Sequence, residues 1–113
     1  MARKGDILRS RRRVGFLGGE ETLFVVLQAD ALNATLPTIA VAPITPATTG
    51  GPPPPLSVPI HVPGSTLIPP GALARIPATG PQPRVRFDPA PIATVDASTL
   101  AALERALTLL FDL

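Results

Sequence analysis

The sequence predicts a mainly β fold: a small, mostly antiparallel and strongly bent sheet or barrel, closed by a C-terminal helix. Three observations carry this expectation. Short apolar runs rich in Val and Ile are bounded by Gly, Pro, Asn and Asp, the punctuation of buried strands. Fifteen of the sixteen prolines lie between Pro43 and Pro91, so the middle of the chain reads as turns and short strands. Only the last stretch, from Asp96 onward, repeats its apolar residues at helical spacing.

In chain order, Lys4-Gly5-Asp6-Ile7-Leu8 reads as a turn feeding a first strand. Arg9 to Glu21 combines a basic run with Gly15, Gly18 and Gly19 and reads as a loop over one face of the sheet. It lacks the GxxxxGK[ST] pattern of a phosphate loop. Leu23 to Leu27 and Ile39 to Ile44 are apolar runs, separated by the polar segment Gln28 to Asn33, which reads as a turn or a short helical hop. The second run ends in Thr45-Pro46, which holds a hydroxyl where the next residue cannot extend the ladder. That placement suits a functional site and equally suits a plain strand terminus.

Thr45 to Pro55 reads as a loop, stiffened by the four prolines Pro52 to Pro55. Leu56 to Val62 alternates, with Leu56, Val58, Ile60 and Val62 facing the core. Pro59 puts this strand at an edge or beside a bulge, and His61, on the other face, points to solvent. Ala72 to Ile76 is a further strand, Pro77 to Pro83 is irregular, and Arg84-Val85-Arg86-Phe87 reads as a strand with both arginines on one side. Asp96 is a favoured N-cap, and Leu100, Leu103, Leu107, Leu110 and Phe111 form the apolar stripe of the helix it opens.

The 113 residues are expected to form a single domain, 1–113, with apolar residues at 45 % and charged residues at only 16 %. Such low charge points to apolar surface buried in an oligomer interface. The net charge is +2, but six of the ten basic residues, including Arg11, Arg12 and Arg13, crowd the first thirteen positions. This cluster meets phosphates or simply solvates a loop, at even odds on charge alone. The chain has no cysteine, one histidine and eight scattered carboxylates, which argues against disulfides, thiolate chemistry, a metal centre and any cofactor. No apolar run reaches the roughly 18 residues of a membrane span, and no signal-type segment follows the basic start. A soluble, cytoplasmic protein is expected.

The ordered features then resemble a known family. Gly5-Asp6 at the first strand, a long charged loop, Gln28-x-Asp30-x-x-Asn33 after an apolar strand, Val41-Ala42-Pro43-Ile44-Thr45 and a helix opened by Val95-Asp96 together resemble the MazF/PemK/Kid toxins of bacterial type II toxin–antitoxin systems. The resemblance runs over nearly the whole chain and is strongest from Leu23 to Thr45 and from Ile92 to Leu113. It implies an SH3-like barrel of the MazF/PemK/CcdB type, a homodimer, and a cognate antitoxin as partner. It also implies metal-independent cleavage of single-stranded RNA, in which a ribose 2′-OH attacks the adjacent phosphate. In that family an arginine opening the second strand and a threonine closing the third supply much of the chemistry. Thr45 matches the threonine as the catalytic candidate, whereas Thr22-Leu23 stands where the family has Arg-Pro. Threonine cannot replace a five-donor guanidinium. The phosphate-binding candidates are therefore Arg11, Arg12 and Arg13 in the loop, and Arg75, displaced by one position from a family arginine. Phe16 is the obvious residue for base stacking. The alternative reading is a non-catalytic dimer of the same fold that binds an antitoxin, another protein or nucleic acid.

Overall fold

A computed structural model describes residues 2–11, 23–46, 55–62, 64–65, 67–69 and 71–111. The first strand, β1 (Asp6–Arg9), pairs antiparallel with β2 (Leu23–Val26), which pairs with the long β3 (Thr38–Thr45). All four residues of β2 are buried because the sheet is covered on both faces there. Between β2 and β3 stands the single helical turn α1 (Asp30–Asn33).

The far edge of β3 is shared. Its first half pairs with β6 (Gly80–Pro83) and its end pairs with β5 (Leu73–Arg75), which pairs in turn with β4 (Ser57–Pro59). A 3-10 turn over Ile76–Ala78 makes the corner between β5 and β6. A short β7 (Ala93–Thr94) closes onto β1, and α2 (Ala97–Phe111) follows. The sheet order is β4-β5-β3-β2-β1-β7, with β6 beside β3, a curled antiparallel half-barrel with one C-terminal helix.

Alternation along the strands sends residues to two cores. Ile7, Leu23, Val25, Ala42, Ile44, Val58 and Ala74 face α2 and pack with Leu103 and Ala106. Leu8, Phe24, Val26, Ile39 and Val41 face the opposite side and are covered by Ala2 and Phe87, whose ring meets Phe24 edge-on at 5.5 Å. Gly5 joins the two regions at φ +91°. A Cβ there would lie 3.3 Å from Val95 Cγ2, so glycine satisfies both the backbone and the packing.

Three expectations are corrected. Pro77 to Pro83 is not irregular throughout, because Gly80–Pro83 forms β6. The Arg84 N–H donates to the Pro37 carbonyl at 2.9 Å, so residues of that parity point their N–H groups at β3. Pro81 and Pro83 have the other parity and turn their missing donors outward, the arrangement an edge strand permits. Arg84–Arg86 is a 3-10 turn rather than a strand, and its central Val85 is 77 % exposed. On α2 the buried positions are Thr99, Leu103 and Ala106, with Leu100, Leu107 and Leu110 packed beside them, while Phe111 is exposed. The face turned to the sheet is thus centred on a threonine and an alanine as well as leucines, because small residues let the helix sit close.

Candidate functional site

Thr45 ends β3, half-buried, with the exposed Pro46 after it. Its register partner on β5 is Leu73, and Leu73 faces Pro59 of β4. Two residues beyond Leu73, on the same face, comes Arg75, opposite Ser57. Residues paired across an antiparallel ladder share a face, as do residues two apart along one strand. Thr45, Leu73, Arg75, Ser57 and Pro59 therefore lie on one side of the sheet, the side away from α2. A diagonal pair of this kind is separated by about 7–8 Å between Cα atoms.

The shift of the arginine by one position, which on sequence grounds threatens to reverse its face, leaves Arg75 on the face of Thr45. Its side is settled by Ala74, which is fully buried in the core beneath α2. Arg75 is exposed and makes no ion pair among the described residues, so its charge is available to a ligand. Ser57 is a hydroxyl that sequence reasoning missed as a site residue. The alternation of Leu56 to Val62 gave its side, but not that Arg75 would lie opposite.

The other predicted cations are placed differently. Arg11 follows β1, donates its N–H to the Arg86 carbonyl at 2.6 Å and sets its Nε 3.7 Å from Asp88 Oδ1. It belongs with the 3-10 turn at Arg84–Arg86, not with the Thr45 face. Arg12, Arg13, Phe16 and Thr22 lie outside the described residues.

The polar residues that carried the resemblance are structural. Asn33, fully buried, donates to the Gln28 carbonyl at 3.0 Å and accepts from Gln28 Nε2 at 2.9 Å. Gln28 also reaches the Thr38 carbonyl and the Ala40 N–H, so it ties the α1 turn to the start of β3. The Arg84 guanidinium closes the same turn by donating to the carbonyls of Asn33 and Leu36. Asp30 accepts from the Lys4 N–H at 2.7 Å, and Asp6 accepts from the Arg3 N–H and the Thr94 hydroxyl, each at 2.8 Å. These groups position β1 to β3 and therefore Thr45. None of them faces it.

Beyond the sheet edge, His61 is exposed as expected, but its Nδ1 stands 2.7 Å from Asp96 Oδ2 at the start of α2. Asp96 caps the helix by accepting from the Thr99 N–H at 2.8 Å. Its carboxyl is held at about 2, below the ordinary 3.8, first by the Thr99 side chain, then by His61 and by the Thr99 N–H. Among the described residues no three His, Asp or Glu side chains gather to hold a metal ion, and no helix is long and apolar enough to cross a membrane.

By sequence, no family model matches the chain and no curated protein does. By structure the likeness is extensive. An endoribonuclease in complex with its cognate antitoxin, from a mycobacterial species, superposes with a TM-score of 0.75 at 15 % identity, covering 100 % of this chain and 97 % of that one. MazF in the MazE–MazF complex of Deinococcus radiodurans gives 0.72 at 18 % identity over 99 % and 96 % of the two chains. The chain has the MazF toxin fold. The Mycobacterium tuberculosis toxin MazF-mt6 gives 0.68 at 20 % identity over 96 % and 97 %. Within the MazF fold observed here, the half-barrel and the C-terminal helix follow the expected order, and the Thr45 face is the side of the sheet away from α2.

Proposed function

We propose that the chain is a MazF-like toxin and an endoribonuclease that cleaves single-stranded RNA, with Thr45 and Arg75 as its phosphate-contacting pair. The observation that supports this reading is their common face. A hydroxyl donor and a guanidinium with no ion pair among the described residues lie one diagonal apart on the side of a MazF-type sheet away from α2. In the proposed reaction the ribose 2′-oxygen bonds to the adjacent phosphorus and gives up its proton to solvent. The bond to the 5′-oxygen of the next nucleotide breaks, and that oxygen takes up a proton. The products are a 2′,3′-cyclic phosphate and a 5′-hydroxyl. Charge accumulates on the non-bridging oxygens in the transition state, where the Arg75 fork and the Thr45 hydroxyl each donate. Ser57, opposite Arg75, contributes a further hydroxyl at the edge of this surface.

Two partners complete the proposal. The active form is a homodimer, supported by the exposed Leu109 and Phe111 on α2, and its inhibitor is an antitoxin, as in the complexes of the structural neighbours. The test is incubation of purified protein with mixed-sequence single-stranded RNA and mapping of the product ends. Cyclic-phosphate ends are expected, with cleavage lost when the attacking 2′-OH is replaced by hydrogen. Thr45→Ala and Arg75→Ala each lower the rate about 10²–10³-fold, the typical loss for one donor to a developing oxyanion. Absence of cleavage at high enzyme concentration overturns the nuclease reading. A second reading is supported by Thr22, which stands where the family arginine is expected. In it, the same dimer binds an antitoxin, another protein or nucleic acid without cutting, and RNA bound but not cleaved is its signature.

A further inference from the structure

Beside Arg75, a cavity of about 420 Å³ opens between the turn that enters β4 and the 3-10 corner after β5. It is lined by Pro55, Arg75, Pro77 and Ala78, each of them exposed. Its size lies within the range of small-ligand cavities, roughly 300–1,000 Å³. The walls are stiff. Each proline fixes its own φ, and Pro77 belongs to the 3-10 turn opened by Ile76, which is fully buried in the core beneath α2. Leu56, between Pro55 and Ser57, has φ +55°, a left-handed conformation uncommon for leucine, and its side chain packs against the same core. Backbone held in this way clusters at ligand surfaces.

The lining offers little to the edge of a base. The side chains of Pro55, Pro77 and Ala78 carry no polar atom, and the prolines have no N–H. Thr79, the next residue along, donates its hydroxyl to the Ile76 carbonyl at 2.6 Å. What the cavity presents instead is flat surface, from two proline rings and one guanidinium. Arg75 makes no ion pair among the described residues. A guanidinium is planar, so its edge can donate to a phosphate while its face stacks on a ring.

We propose that this cavity seats the base of one nucleotide flanking the scissile phosphate and selects it by stacking area, so that a purine is preferred to a pyrimidine. The inference rests on the reading of Thr45 and Arg75 as the phosphate-contacting pair. Arg75 is both a donor of that pair and a wall of the cavity, so a nucleotide joined to the phosphate carries its base to the prolines. A two-ring base covers more of this surface than a one-ring base. With no side-chain partner for the base edge except Arg75, adenine and guanine are accepted alike, and the preference is modest, as stacking preferences are.

The test makes two measurements on the full chain. In the first, single-stranded RNA randomised on both sides of the scissile bond is cleaved and the products are sequenced. One flanking position is expected to favour adenine and guanine equally, about three- to tenfold over cytosine and uracil. Ala78→Leu, at an exposed position and checked for folding by circular dichroism, fills the cavity and is expected to remove or invert that ratio. A substitution that merely loosens the corner lowers all rates together and leaves the ratio where it was. In the second, fluorescent oligomers lacking every 2′-OH are titrated, so that binding is read without cleavage. Oligodeoxyadenylate is expected to bind about three- to tenfold more tightly than oligodeoxyuridylate, and A78L to abolish the difference. Purine-dependent binding that A78L removes, without any cleavage of RNA, supports the cavity and overturns the nuclease reading. Cleavage with no purine preference at either flank, a strict demand for a single base, or a ratio unchanged in A78L overturns the cavity and leaves the nuclease reading standing. Absence of both cleavage and binding overturns both.

Discussion

At the scale of single residues, the buried amides show how little of this chain's polarity serves a ligand. Asn33 is fully buried and every polar atom of its side chain is used within the α1 turn. Asn33→Ala takes the donor from the Gln28 carbonyl and leaves the Gln28 amide only its bond to the Thr38 carbonyl, at a partly buried site. The expected cost is about 1–3 kcal/mol, read as a lower urea midpoint with an unchanged slope. Because Gln28 also fixes the start of β3 through Ala40, the same variant loosens the strand that carries Thr45. Under the proposed nuclease reading, its effect on RNA cleavage is smaller than that of Thr45→Ala, which removes a donor directly. Arg75 teaches the converse. Its standing as a candidate comes from having no ion pair among the described residues, on the face of Thr45.

At the scale of elements, the start of α2 is where strand and helix are joined. Asp96 caps the helix and accepts from Thr99, and its N–H donates to the His61 carbonyl at 3.4 Å while its carboxylate meets the His61 ring. The carboxyl is held at about 2 in the fold against an ordinary 3.8, so the folded state favours the ionised form. The sign follows: this contribution is complete above 3.8 and is lost as pH falls through about 2. Thermal unfolding followed between those values is expected to show a native-chain decline that Asp96→Ala lacks, with Ala97 onward fraying in amide exchange at neutral pH. Asp96→Ser restores the cap but not the pairing with His61, and it recovers the helix start without the acid-dependent decline. The strand β6 rests on its register with β3. A strand of sequence Gly-Pro-Gln-Pro is viable because only its alternate residues need to donate, and it lies along one half of β3 only.

At the scale of the whole molecule, one end of α2 remains uncovered. Leu109 is 70 % exposed and Phe111 61 %, in a chain with only 16 % charged residues. Under the proposed homodimer this end is buried between protomers. Light scattering is expected to give twice the chain mass for the native protein and a single chain mass for Leu109→Glu, with the helix content kept. A native monomer removes the dimer from the proposal. The Thr45 face is on the side of the sheet away from α2, so dimer formation through the helix leaves it free.

Short-range physics made much of this readable. The alternation of Leu56 to Val62, the apolar runs at Leu23 and Ile39, the turn at Gly5, the cap at Asp96 and the bent β sheet with a terminal helix all appear in the sequence. Steric preference and periodicity act within a few residues, so they can be read without knowing what lies opposite. The tertiary structure alone decided the rest. It made Gly80–Pro83 a strand, turned Arg84–Arg86 into a 3-10 turn, assigned Gln28 and Asn33 to the scaffold, and brought Arg75 to the side of Thr45. Each of these depends on which strands pair and in what register. A shift of one residue exchanges the two faces of a sheet, and no local pattern in β5 states which residue of β3 it will meet.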